Sequence, residues 1–231
     1  MKPFFAGVAA LAFALLVHAQ EFPARAVRSV VPWPPSGNVD ITARTVAPAL
    51  GEALGQQVIV ENRAGAAGTI GTAAVAKSPP DGYTLLLGSS GTITAGPAVF
   101  KNPPYDPVRD FVAVGGIQSV PIVLTAAPKT PVSTYAEFVS LANSRKGQLS
   151  IASAGSGSSN HLAIELLMRM ANVKLLHVPY KGSGPAITDL LGSQVETMMD
   201  QLTASIGHIR EGRIKPLAIT SRSRSPLLPP S

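Results

Sequence analysis

The 231-residue sequence contains no cysteine. That excludes a disulfide framework, a thiolate zinc site, a cysteine nucleophile and a lipid-modified N-terminal cysteine. Charge is sparse, at 14% of residues, with a formal balance of +6. Such a balance suits anionic small molecules and an ordinary solvated surface equally well. Aromatic residues make up only 5%, and the basic residues do not interleave with them, which argues against nucleic acid as a partner. Gly and Pro, 21 of each, stay below the share that marks disordered chains. There is no repeat of fixed period. Beyond the N-terminus no apolar run approaches the roughly 18–20 residues that cross a bilayer.

The N-terminus carries the one long uncharged run. Lys2 supplies a basic start, Phe4 to Val17 is free of charge, and Val17-His18-Ala19 offers a small residue for cleavage. The pattern predicts a secretory signal peptide over residues 1–19 and an exported product.

After it, short apolar runs alternate with helical patterns. Val27 to Val31, Val58 to Val60, Thr84 to Leu87, Ile122 to Thr125 and Leu175 to Val178 read as buried strands. Val39, Ala43, Val46, Leu50 and Leu54 fall on one helical face, Gly55 is the expected stop, and Pro48 is expected to bend the helix. Tyr135 to Ser144 and Ser159 to Ala171 read as further helices. This alternation means α/β layers with largely parallel sheets. The proline-rich stretch from Asn102 to Pro107 reads as a linker or turn, with a change of domain near Gly115 to Ser119.

Three Gly/Ser-rich loops each follow a strand and open a helix: Pro32 to Asn38, Gly88 to Thr92, and Ser153 to Ser158. Ligands of open parallel sheets sit at the carboxyl ends of strands. The free N–H groups of a helix start favour an anion there. One such loop is most simply a turn; three in register point to a cleft. The Gly65-to-Gly71 run has GxxGxxG spacing, not the dinucleotide GxGxxG, and reads as a packed turn. His161 and Glu165 are four apart on one helix, but no third metal ligand accompanies them, so no metal site is expected. Ser156 and Ser158 with His161, His177 or His208 leave a serine hydrolase as the alternative, without a GxSxG elbow to support it.

Longer motifs carry a family resemblance. Ile59 to Gly71 (IVENRAGAAGTIG) followed by Pro79 to Leu86 (PPDGYTLL) resembles the Bug family, the periplasmic solute receptors of tripartite tricarboxylate transporters. Pro32 to Asp40 (PWPPSGNVD) resembles that family's first ligand loop, and Ser156 to Leu162 (SGSSNHL) its second-domain loop. Val178 to Ala186 with Asp189-Leu190-Leu191-Gly192 is a further match. The resemblance runs from about Phe22 to Ser225. It implies a two-domain α/β periplasmic binding protein of type II-like architecture that closes on a carboxylate-bearing ligand without chemistry. It further implies a periplasmic monomer with no cofactor, an organic acid or amino acid as ligand, and membrane permease subunits as partners. A sensor module presenting its liganded surface is an alternative use of the same fold.

Carried onto this chain, the family's ligand loops give Ser36, Gly37, Asn38 and Asp40, then Ser89 and Thr92, then Ser156, Gly157, Ser158 and His161, with Asp200 after a strand from Gln194 to Met199. For Asp40, a ligand contact and a purely structural place in the first helical turn are equally expected. The family's usual Gly pair in the first loop is Ser36-Gly37 here. Domain 1 is expected over residues 20–117 and domain 2 over 118–216. Residues 217–231 are expected to begin a return to domain 1. Family members continue well past Leu217 to Ser221, so the first domain is expected to be incomplete at its C-terminal end.

Overall fold

Valine-rich runs become the centres of two sheets. In the computed structural model, which describes residues 22–229, β1 (Val27–Val31), β2 (Val58–Asn62) and β3 (Thr84–Leu86) form an all-parallel sheet in the order β2-β1-β3. The expected signal peptide lies outside the described residues. β4 (Ile122–Ala126), β5 (Ser150–Ser153), β6 (Leu176–Pro179), β7 (Thr197–Gln201) and β8 (Lys215–Ile219) form a second sheet, ordered β6-β5-β7-β4-β8. Parallel pairing holds except at β4, which runs antiparallel to both its neighbours. Helices α1 (Asn38–Leu54) and α2 (Thr69–Ala76) accompany the first sheet. Helices α3 (Tyr135–Arg145), α4 (Ser159–Ala171), α5 (Ser183–Leu191) and α6 (Leu202–Arg210) accompany the second. The expected two-domain α/β architecture is thus present as two lobes.

The second lobe is a three-layer sandwich set by the two-residue period of its strands. On β4, Val123 enters one apolar cluster and Leu124 the other; Ala152 and Ile151 on β5, and Met198 and Met199 on β7, divide the same way. α5 and α6 cover the first face through Ile187, Leu190, Leu202 and Ile209. α3 and α4 cover the second through Phe138, Ala142 and Ile164. Each large apolar side chain buried this way stabilises the lobe by about 1.5–3 kcal/mol.

The first lobe is thinner. Its buried cluster joins Val31, Trp33 and Ala43 to Ala154 of the other lobe. On the predicted α1 stripe only Ala43 is fully buried; Val39, Val46, Leu50 and Leu54 are half-buried. Ile59 and Ile70 are exposed. α1 stops at Gly55 as expected, in the left-handed region at φ 65°, with its N–H on the Glu52 carbonyl and the Gln56 N–H on that of Gly51. The helix continues through Pro48, which lies on the solvent face, where water can serve the carbonyl that loses its N–H partner.

One boundary differs from expectation. Residues 217–231 were expected to begin a return to the first domain. Instead Lys215–Ile219 is the edge strand β8, paired with β4, and Leu228 packs against the second lobe's core. Leu217 and Ala218 pack against the cluster under α3 and α4 and Ile219 against the opposite one, with a register shift opposite Leu124 and Thr125 interrupting the two-residue alternation. The segment between the lobes, residues 101–121, has no regular structure, and Val108, Val112, Val114 and Ile117 along it are exposed. Gln118 ties it back to α1 through Thr42 Oγ1 and Asn38 Oδ1.

Candidate functional site

The cleft lies where the carboxyl ends of strands from both sheets feed helix starts. After β1, the loop from Pro32 to Gly37 leads into α1. Ser36 adopts a left-handed φ of 67°, and its N–H donates to Asp40 Oδ2 at 3.0 Å. Asp40 also accepts from Arg44 Nε at 3.1 Å and from Asn62 Nδ2 at 2.8 Å, while Asn62 Nδ2 reaches the Trp33 carbonyl at 3.0 Å. Burial alone would raise the Asp40 pKa; the hydrogen bonds from Arg44, Asn62 and the Ser36 N–H outweigh it and hold the carboxyl below its ordinary value. Of its two expected roles, Asp40 thus fills the structural one, fastening the first loop. Asp40→Ala should cost about 2 kcal/mol, because the Ser36 N–H and Asn62 lose a buried acceptor. Urea unfolding measures this loss. An unchanged midpoint would mean that the loop holds its shape without the carboxylate.

The second loop follows β3. The Ser89 N–H donates to Thr92 Oγ1 at 3.0 Å, and that hydroxyl returns a bond to the Ser89 carbonyl at 3.2 Å. Thr92 is buried and shapes the turn, whereas Ser89 reaches the cleft. The third loop follows β5. Ser158 caps α4: its hydroxyl accepts from the His161 N–H at 3.2 Å and donates to the Gly155 carbonyl at 2.7 Å. A fourth turn, Lys181-Gly182, follows β6 and opens α5 at Ser183. Gln201 ends β7 and precedes α6.

These elements enclose a narrow cleft of about 30 Å³. From the first lobe it is lined by Trp33, Pro34, Gly37, Asn38, Val39 and Ser89. From the second come Ala154, Ser158, Ser159, Asn160, Ser183 and Gln201. No charged side chain is among this lining. Three of the residues, Asn38, Ser159 and Ser183, open helices α1, α4 and α5. The positive ends of three helix dipoles therefore converge on a cleft walled by hydroxyls and amides.

Asp200 sits directly behind the wall, fully buried. It accepts from Ser183 Oγ at 2.6 Å and Asn160 Nδ2 at 2.9 Å on one oxygen, and from Ser205 Oγ at 3.4 Å on the other. Burial raises its pKa to about 6 against the pull of these hydrogen bonds. Asp200 thus positions two lining side chains and is not itself part of the lining. Gln201 Nε2 continues the network to Asn160 Oδ1 at 2.8 Å and Ser159 Oγ at 3.1 Å.

Of the residues expected from sequence, Gly37, Asn38, Ser89 and Ser158 line the cleft. Ser36, Asp40, Thr92 and Asp200 support those that do. Ser156 is exposed, and the Gly157 N–H is directed to His161 Nδ1 at 3.2 Å. His161 stands outside the lining, stacked on His177 with ring centroids 4.4 Å apart. His177 Nε2 is 2.7 Å from Ser153 Oγ, so the histidine pair buttresses the third loop from behind. Burial, and then the neighbouring His161 ring, lower the His177 pKa against the effect of Glu165. His161 Nε2 lies 3.5 Å from Glu165 Oε1, and among the described residues no group of three metal-ligating side chains occurs.

Trp33, Ser159, Asn160, Ser183 and Gln201, with the apolar Pro34, Val39 and Ala154, line the cleft without being among the residues expected from sequence. Lys181-Gly182-Ser183-Gly184 has the same strand–Gly/Ser–helix signature as the three loops that were read, and that signal was available for Ser183. Nothing local distinguishes Asn160 or Gln201; only the sheet order brings them together.

A sequence model of the tripartite tricarboxylate transporter family receptor matches residues 42–230. The chain is 40% identical over 223 residues to protein BugT of Bordetella pertussis, covering 96% of this chain and 68% of that one. Among solved structures, Rpa4515 of R. palustris with adipate superposes with a TM-score of 0.85 at 38% identity, over 88% of this chain and 68% of that chain. MatC (Rpa3494) from Rhodopseudomonas palustris with bound malate gives 0.84 at 36% identity, over 89% and 70%. Of two other curated relatives the chain spans 62% and 60% of the length.

Proposed function

Because the chain belongs to the tripartite tricarboxylate transporter receptor family, we propose that it captures a carboxylate-bearing small molecule in the periplasm and presents it to membrane permease subunits. The observation that carries this reading is the convergence of the α1, α4 and α5 starts on one uncharged cleft. Main-chain N–H groups and hydroxyls there can hold an anion without a basic side chain. The adipate and malate bound by the R. palustris neighbours support a carboxylate as the ligand class. A cleft of about 30 Å³ has room for about one water, so a ligand enters as the lobes part and is held as they close. The receptor works as a monomer and performs no reaction. Ser158 Oγ is committed at both ends to the α4 cap, which removes it as a nucleophile.

Calorimetry with mono- and dicarboxylates, and neutral sugars as controls, tests the reading. A carboxylate at a hundred times its Kd should stabilise the fold by about 2.7 kcal/mol. Sugars binding while acids do not would overturn it. The uncharged lining adds a second expectation: affinity should change less than about threefold between 50 and 500 mM salt, because dipoles and hydrogen bonds in a closed cleft are little screened. A steep salt dependence would place a basic side chain at the ligand.

A further inference from the structure

We propose that the stacked pair of His161 and His177 is a proton-operated latch on the third loop: when the pair takes up a proton, the loop is unfastened, closure is opposed and the ligand is released. This rests on the carboxylate-receptor reading above and adds a regulation to it. The two rings come from different elements, α4 and β6, and lie nearly parallel, at an interplanar angle of 16° and 4.4 Å between centroids. Each holds a different point of the loop. The Gly157 N–H donates to His161 Nδ1 at 3.2 Å. His177 Nε2 is 2.7 Å from Ser153 Oγ, which accepts from the Gly155 N–H at 3.1 Å. Neither ring lines the cleft, but the loop they fasten leads into Ser158 and Ser159, which do.

The bond from Gly157 fixes what the latch tolerates. An imidazole accepts at Nδ1 only while that nitrogen carries no proton. A proton there would set two N–H groups against each other. Ser153 Oγ can donate or accept, so the His177 contact survives either state of its ring. Rings stacked this closely disfavour a charge on both. The surrounding groups direct the single proton to His161. Its Nε2 lies 3.5 Å from Glu165 Oε1, whereas burial, and then the His161 ring, lower the His177 pKa against the effect of Glu165. β5 and the loop itself bring no titratable side chain to the pair. A loop displaced at Gly157 acts across the lobes, because a Cβ there would stand 3.1 Å from Phe100 Cζ of the first lobe. The displaced loop meets Phe100 only when the lobes are together. The closed form therefore holds the proton less tightly than the open one. Affinity is complete above the titration range of the pair and declines as pH falls through it.

Malate and adipate are the probes, with affinities measured by calorimetry at pH 7.5 and pH 5.5. His161→Asn places an amide oxygen where Nδ1 accepts and offers no site for the proton. It should bind within about threefold of the wild type at pH 7.5. An imidazole of ordinary pKa, about 6.5, that must be neutral for closure gives about a tenfold loss of affinity over this interval. The ligand's carboxyls and Asp200 titrate in both proteins, so the wild-type loss divided by the variant's loss isolates the latch. That quotient should be about ten, and a quotient near one would overturn the proposal. The wild type supplies a second reading that does not depend on the variant's folding. Followed by NMR through the carbon-bound imidazole protons, the titration midpoint of the pair should fall by about one pH unit in saturating ligand. A midpoint unmoved by ligand would overturn the proposal as well. If neither acid bound the wild type at pH 7.5, the receptor reading would fall first and this proposal with it.

Discussion

Asp200→Ala should destabilise the second lobe by about 3 kcal/mol, read as the loss in urea unfolding free energy. The fully buried carboxylate accepts from Ser183, Asn160 and Ser205. Truncation leaves these donors facing a void, and each buried donor without a partner costs about 1–3 kcal/mol. Relief of the carboxylate's own burial offsets part of that sum. Asp200→Asn separates the two contributions, because the amide keeps the shape and one acceptor. A pKa of about 6 in the folded protein against 3.8 in the unfolded chain means the native state holds this proton more tightly. The stability Asp200 confers is therefore complete below about pH 4 and declines as pH rises towards 6, by at most about 3 kcal/mol. The asparagine variant lacks that decline and should gain on the wild type between pH 4 and pH 7. Parallel stability curves across this range would show that the buried carboxylate ionises without penalty. Asp40 titrates with the opposite sign: its lowered pKa gives stability present above pH 4 and lost on acidification. Comparing the two proteins at each pH cancels that background.

The pair of aspartates also marks what could be read from the sequence. Asp40 belongs to a local motif, four residues from Ser36 and four from Arg44, and its place in a first helical turn left both of its roles open. Only the 22-residue step to Asn62 shows that its oxygens are fully engaged. Asp200 was expected at the cleft because it follows a strand, yet burial depends on which strands flank β7, and sheet order is not a property of the segment. The strands β1, β3 and β6 were legible because short apolar runs end there in Gly or Pro, whereas β5 has no such run and β7 lies three residues further on than the expected start at Gln194. Ser159–Ala171 was legible to the residue because Ser158 caps it. β8 was misassigned because Leu217 to Ile219 looks equally apolar in either lobe, and the pairing with β4 is a long-range choice. His161 was drawn to the ligand by its place in the first turn of α4. The competing partner was His177, sixteen positions on, which only the β5–β6 pairing brings to stacking distance.

Gly182→Ala should weaken carboxylate binding by at least about 100-fold. Gly182 has a φ of 134°, and a Cβ there would stand 2.6 Å from Pro34 Cδ and 2.7 Å from Pro34 Cγ, across the cleft in the first lobe. Its neighbours continue the fit: a Cβ at Gly184 would approach the Pro35 carbonyl to 3.2 Å. Pro34 and Pro35 thus seat in a notch that glycine keeps open at the start of α5. Two costs follow, and they act in different states. The backbone conformation is strained for alanine, at about 1–3 kcal/mol, whether the lobes are apart or together. The clash with Pro34 exists only when they are together. It opposes closure, and a factor of 100 in affinity corresponds to about 2.7 kcal/mol. Strain alone would lower the melting temperature and leave affinity nearly intact. A double-mutant cycle resolves them: Pro34→Gly removes the ring that the new methyl group strikes. If closure is what alanine blocks, Gly182→Ala with Pro34→Gly should bind better than the sum of the single effects by at least about 1 kcal/mol. Additive losses would mean that the two loops do not meet in the ligand-bound receptor, and that the notch serves only the folding of the second lobe.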